Sequence, residues 1–382
     1  MAEGASARTG GQMRLLAGLG LAVLIGFIAW VGRGVLIPVV VAGFLSFLIF
    51  TLKETIKAGP LIGRILPNWL CYLLAFAFIV SLTIFLIEII RGNVEALIAA
   101  APSYEARLRD LTAAGVAWLE RLGALPEDFV GGVDELRRTA LGMINPLLSQ
   151  IGSSARALTA NSLTIFLYTV FMLLERGRIF RKIEKISGDE GQRQAVNETI
   201  ADIAAMVRQY ITVKTVINLI TASGSYAILR LLGVDFPGFW ALLIFVLNYI
   251  PIVGPIVANA FPVILALVQP EGGLRLALVT LFLLVGLEQT MSTLVEPRLV
   301  GRSLNLSPLM VLFSLAVWGS IWGFAGALLA VPITVTLMII LTQFRATRPI
   351  AILMSESGRI AEIKHGPLAA AAPASPSTAA TE

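Results

Sequence analysis

The chain has 382 residues, of which 57% are hydrophobic and only 14% charged, with a formal net charge of +5. Soluble domains run near about 45–50% apolar and about 25% charged, so this excess cannot be hidden in a water-soluble core. The basic residues sit at the ends of apolar runs without the aromatic-plus-basic motifs of nucleic-acid binders, which excludes nucleic acid as a partner and makes the charge a matter of membrane topology.

In chain order, residues 1–14 (MAEGASARTGGQMR) form a polar N-terminus with no small-residue cleavage site, so the apolar stretch that follows is expected to be a retained helix. Spanning the hydrocarbon layer takes about 20 apolar residues. The runs that qualify are Leu15–Val31, Val35–Leu52, Trp69–Ile90, Leu158–Leu174, Ile211–Leu232, Phe239–Val268, Ala277–Val295 and Leu309–Phe344. The expected fold is therefore an all-α polytopic membrane protein with about eight transmembrane segments: three within 15–90 and five, forming a transport-like core, within 158–345. Between them lies an insert, 91–157, with mixed charge and apolar residues at helical spacing (Leu108, Leu111, Trp118, Leu119, Leu122, then Val133, Leu136, Ala140, Ile144, Leu147), read as amphipathic helices outside the bilayer. Residues 346–382 form a tail that is Ala/Pro/Ser/Thr-rich from Gly366 and expected to be disordered from about there.

Lysine and arginine bias sets the orientation. With the N-terminus inside and eight spans, inner segments carry 17 Lys/Arg, against four on the outside apart from the insert. Both termini are then cytoplasmic, the insert is extracytoplasmic, and the bilayer is the cell inner membrane. The one cysteine, Cys71, and the one histidine, His365, provide no disulfide, metal site or catalytic base. No hydrolase, protease or nucleotide-binding motif is present, so no enzyme, metal or cofactor is expected.

Two runs are too long. At about 1.5 Å per residue, Phe239–Val268 would reach about 45 Å and Leu309–Phe344 about 54 Å as straight helices. Each carries breakers: Pro251, Gly254, Pro255 and Pro262 in the first, Gly319, Gly323, Gly326 and Pro332 in the second. These segments must kink, unwind or turn back as hairpins. Paired interrupted segments are the sequence pointer to a transporter's substrate site, because irregular backbone at membrane depth survives only where protein or water covers it.

Glu288 lies about eleven residues into the seventh segment, where an ionised carboxylate is costly. It is a candidate for proton or cation handling, with a structural role beside Gln289 and Thr290 as the alternative. Lys214, one turn inside the fifth segment, either snorkels to the inner interface or faces Glu288 or a solute. Asn218 falls one turn further along the same stripe. Asn248, Tyr249 and Asn259 bracket the first break, where they would satisfy unwound backbone or contact a solute.

The runs NYIPIVGP (248–255), VEPRLVGRSLNLSPLMVL (295–312) and GFAGALLAVPI (323–333), in that order and spacing, resemble the autoinducer-2 exporter family, also called the PerM-type permeases. The resemblance extends over about residues 14–345. It implies an eight-helix secondary transporter, a homo-oligomer, with some members exporting autoinducer-2, a quorum-sensing signal, and others exchanging sodium for protons. The positions that carry it are Pro251, Gly254, Pro255, Glu288, Glu296, Pro297, Gly301, Pro308, Gly323, Gly326 and Pro332. Three readings stay open: an exporter of a small polar solute coupled to protons or sodium, a cation/proton antiporter, and a non-transporting scaffold whose insert binds a partner.

Overall fold

A computed structural model describes residues 18, 20, 23–59, 66–121, 162–178, 181–182, 190–300, 306–344, 346–356 and 358. The N-terminus 1–14, most of the insert beyond Arg121, Gly301 and the tail from 366 lie outside the described residues. The helices are α1 (23–31), α2 (Arg33–Ala58), α3 (Asn68–Arg121), α4 (162–178), α5 (Glu190–Leu232), α6 (Pro237–Leu247), α7 (Val253–Val268), α8 (Leu274–Thr290, continued by a π turn at Met291–Val295), α9 (Glu296–Val300), α10 (Pro308–Thr342) and α11 (Arg348–Met354). Among the described residues the only β pairing is one isolated bridge, Leu306–Ser355. Five helices there are long and apolar enough to cross a membrane: α2, α3, α5, α8 with its π turn, and α10. The fold is an all-α polytopic membrane protein. Its chain divides into two compact units, Met1–Phe47 with Thr164–Ile203 and Asn305–Glu382, and Leu48–Leu163 with Ala204–Leu304.

The helix that carries the third apolar run does not end with it at Ile90. Helix α3 continues for 54 residues, about 81 Å at about 1.5 Å per residue, so the first part of the insert is a rigid extension of a membrane helix. Nothing between Ile90 and Arg121 breaks it except Pro102, which the helix absorbs. The extension is anchored in the second unit. Tyr104 donates from its hydroxyl to Asp235 at 2.9 Å, and Arg107 donates to the Gly272 carbonyl at 3.2 Å. Val94 and Tyr104 join a core with Leu229, Phe239, Trp240, Leu265, Ala266, Ala277 and Leu284. Cys71 is free and fully buried.

Both over-long segments fold back on themselves. Helices α6 and α7 form a hairpin: Trp240 stacks on Phe261 with centroids 5.9 Å apart, although 21 positions separate them. In the first unit, α10 reverses at Gly323, whose φ of 60° and ψ of −137° no helix can contain. Trp318 there donates to the Thr334 hydroxyl at 3.2 Å, whereas 16 residues of straight helix would separate them by about 24 Å. Gly319 and Gly323 therefore do not act as a packing stripe on one helix. Gly319 faces Ala327 in the returning arm and Gly323 makes the turn. Pro332 is buried in that returning arm, and Trp322 at the turn donates to the Ala29 carbonyl at 3.1 Å. Pro308 opens α10 behind a Ser307 cap, whose hydroxyl accepts from Met310 N at 3.2 Å.

Each turn depends on one missing side chain. A Cβ at Gly254 would collide with the Leu247 carbonyl, and one at Gly326 with the Trp318 carbonyl. Backbone cannot swing aside as a flexible side chain does. Gly254→Ala and Gly326→Ala are each expected to cost about 3 kcal/mol or more through forced separation of the hairpin arms. The check is the thermal midpoint of each purified variant in detergent, with Gly286→Ala, where a Cβ meets open space, unchanged.

Candidate functional site

The first hairpin ends in a strained turn. Asn248–Ile252 is non-helical, and Ile252 sits at φ 64°, ψ −57° while Val253 N donates to the Pro251 carbonyl at 2.7 Å. This is a γ-turn of the rarer hand, costly for a β-branched residue. Such strain persists only where the surroundings fix it, and it concentrates at functional sites. Pro251 leads into the turn, Pro255 occupies the first turn of α7 where a missing N–H is harmless, and Pro262 and Asn259 are buried further along α7.

Helix α5 presents a polar stripe to this turn. Lys214, Asn218, Thr221 and Ser225 are spaced by four, three and four residues, which places them on one face, and all four are buried. Asn218 donates to the Phe245 carbonyl at 3.2 Å, and Thr215 shares a 2.6 Å hydrogen bond with the Tyr249 hydroxyl. The hairpin is thus bonded to α5 both just before its break, at Phe245, and within it, at Tyr249.

The third wall is α8. Asn248 donates from Nδ2 to Glu288 Oε2 at 3.0 Å. Lys214 Nζ reaches Glu296 at 2.8 and 3.0 Å to its two oxygens. Lys214 is therefore paired with Glu296, and the pairing with Glu288 entertained from sequence is not what the structure contains. A regular helix at about 100° per residue would aim positions 288 and 296 about 80° apart; the wider π turn between them removes roughly that difference. Both carboxylates consequently fall within electrostatic reach of Lys214 and of each other. Gln289 and Thr290 are exposed, and Thr290 bonds back to the Gly286 carbonyl, so neither supports Glu288.

Two acceptors are left over. Asn218 Oδ1 and Asn248 Oδ1 are buried and no donor among the described residues reaches them. Together with Glu288, the tip offers oxygens and few donors, which suits a cation or a solute that donates hydrogen bonds. Among the described residues no group of three or more His, Cys, Asp or Glu could hold a metal ion.

Sequence reasoning placed Lys214, Asn218, Asn248 and Glu288 as candidates, and the fold brings these four to one place. It left Asn248 between unwound backbone and a solute, whereas its amide donates to Glu288. Thr215, Thr221 and Ser225 are not among the sequence candidates, although Thr221 and Ser225 continue the Lys214–Asn218 stripe at a 4-3-4 spacing. Glu296 entered only through a motif, because its partner lies 82 positions away. Pro297 lies in α9, and Gly301 lies outside the described residues.

A Pro/Gly-broken hairpin bonded to a carboxylate within an apolar helix is an arrangement that membrane transport proteins use. The chain belongs to the AI-2E transporter family, whose family model matches residues 19–346. It is 28% identical to the AI-2 transport protein TqsA of Escherichia coli over 89% of this chain and 97% of that protein. It is 27% identical to a Haemophilus influenzae protein named only for transport, over 88% and 95% of the two chains. A second Escherichia coli relative, YhhT, is 32% identical over 51% of this chain and 54% of that protein.

Proposed function

We propose that the protein is a secondary transporter exporting a small polar solute of the autoinducer-2 kind, with the break at Asn248–Ile252 on the path and Glu288 coupling it to a proton or sodium gradient. The observation that carries this reading is the Asn248–Glu288 hydrogen bond, which ties an acid inside an apolar helix to a strained hairpin tip. Protonation or cation binding at Glu288 would change what the tip is held by, so the ion and the path share one element. The substrate class follows the name of TqsA, and the acceptor-rich tip fits a hydroxyl-bearing solute.

The hairpins also favour a revised topology in the inner membrane. If both re-enter, residues 269–275 lie outside and 296–308 inside. The inner side then carries 18 Lys/Arg against three outside apart from the insert, a cleaner bias than eight full spans produce. Termini stay cytoplasmic, and the extension of α3 projects outward, available for self-association into a homo-oligomer.

The orphaned Asn218 and Asn248 oxygens favour a second reading, cation/proton antiport without an organic substrate. Reconstitution into liposomes, recording autoinducer-2 flux and a lumenal pH dye together, separates the two. Solute flux driven by a sodium or proton gradient, with a lumenal pH change when protons are the coupling ion, is the result expected for the exporter. A sodium-driven pH change without solute flux selects antiport, and neither signal would overturn both.

A further inference from the structure

Phe50 lies near the end of the apolar run of α2, and two cations share its ring. Lys53 Nζ is 5.6 Å from the centroid and Arg208 Cζ 5.9 Å, while Lys53 Nζ is also 5.3 Å from the ring of Tyr72. Since both cations lie within 6 Å of one point, they are within about 12 Å of each other and repel at the low dielectric of a membrane boundary. Lys53 pairs with Glu54 at 2.8 Å, and Lys57 in the last turn of α2 donates to the Leu66 carbonyl at 2.8 Å. Arg208 has no such relief. Its Nε is buried and no acceptor among the described residues reaches it.

A buried guanidinium N–H without an acceptor is expensive, and a ring face satisfies the charge without accepting that hydrogen in line. Among the described residues, Lys53, Lys57 and Arg208 lie at this end with Glu54, and the orphaned Arg208 N–H calls for an anion with oxygen acceptors. Its depth says which kind. The uncharged run Val35–Leu52 ends one residue before Lys53, which puts the cluster where hydrocarbon meets headgroups. On α3, beside Tyr72, Trp69, Leu73 and Leu74 are 67%, 53% and 44% exposed, a surface that acyl chains cover and a free ion does not. Basic pockets between membrane helices recognise anionic headgroups in this way.

We propose that Arg208 and Lys53, framed by Phe50 and Tyr72, bind the phosphate of an anionic phospholipid. The guanidinium fork donates to the phosphate oxygens, Lys53 adds a point charge, and the rings hold both cations in place. This site is separate from the hairpin tip and stands whichever solute is moved.

The test is native mass spectrometry of the purified full-length protein in micelles doped with dioleoyl-phosphatidylglycerol, dioleoyl-phosphatidylcholine or inorganic phosphate. Wild type is expected to retain phosphatidylglycerol at least fivefold over phosphatidylcholine, and Arg208→Gln to lose that preference. Arg208→Lys keeps part of it, and millimolar inorganic phosphate leaves it unchanged. Equal retention by wild type and Arg208→Gln overturns the site, and displacement by inorganic phosphate overturns the lipid as its occupant. Should Arg208→Gln fail to fold, two readouts remain: the thermal midpoint of wild type, expected to rise with phosphatidylglycerol more than with phosphatidylcholine, and Phe50→Leu, which keeps every charge and should weaken retention. Equal midpoints with the two lipids contradict the proposal.

Discussion

Glu288→Gln is expected to reduce coupled transport at least tenfold while leaving the protein folded and in the membrane. Glutamine has nearly the shape of glutamate and keeps an oxygen that accepts from Asn248 Nδ2, so the 3.0 Å contact that ties α8 to the hairpin tip survives. What disappears is the charge and the ability to exchange a proton. Because an ionised group at this depth costs several kcal/mol, the variant should unfold at the same temperature as wild type or slightly higher. Asn248→Ala makes the opposite test: it leaves Glu288 without its donor, costs about 1.5–3 kcal/mol, and loosens the tip as well as the acid. Everted membrane vesicles with a pH-sensitive dye, scored beside thermal midpoints, distinguish a coupling residue from a merely structural one. Unchanged flux in Glu288→Gln would remove it from the mechanism.

Lys214→Met is expected to be the most destabilising single change at the site, by about 3–5 kcal/mol, since it strands Glu296 against apolar helix. The lysine side chain is 11% exposed and that of Glu296 29%, so water offsets part of the stranded charge and the cost falls toward the lower end of that range. Glu296→Met should cost a similar amount for the mirrored reason. The double variant is predicted to recover most of the loss, because a buried pair replaced by apolar groups of similar volume is often neutral. Thermal midpoints of the two single variants and the double variant in one detergent measure this directly. Simple additivity would mean that the two groups do not interact.

Much of the architecture is legible in the sequence because a bilayer leaves few choices. Apolar runs of sufficient length mark α2, α3, α5 and α8, and arithmetic on length alone shows that Phe239–Val268 and Leu309–Phe344 cannot be straight. Which resolution those two segments adopt is not written in the breakers. A proline or glycine cluster permits a kink, an unwound stretch or a hairpin. Here the reversal is decided by contacts between positions far apart, Trp240 with Phe261 and Trp318 with Thr334. The site shows the same division. Glu288 stands out because a carboxylate amid leucines is costly wherever it points, and Lys214 and Asn218 share a stripe by simple periodicity. The pairing of Lys214 with Glu296 rather than Glu288 depends on the π turn at Met291–Val295, and nothing in MSTLV announces a widened turn. The reach of α3 to Arg121 was missed because a change from apolar to mixed composition marks the edge of a membrane, not the end of a helix.

Whether the first hairpin re-enters the membrane from the outer side is read by cysteine labelling at two exposed positions, Glu271 at the base of that hairpin and Arg298 in α9, in a Cys71→Ala background. A membrane-impermeant maleimide added to intact cells should label Glu271→Cys and spare Arg298→Cys, and in everted vesicles the pattern should reverse. Labelling of Arg298→Cys from outside with Glu271→Cys protected would mean that both over-long segments cross the bilayer, and the hairpin tip would lose its place on the transport path.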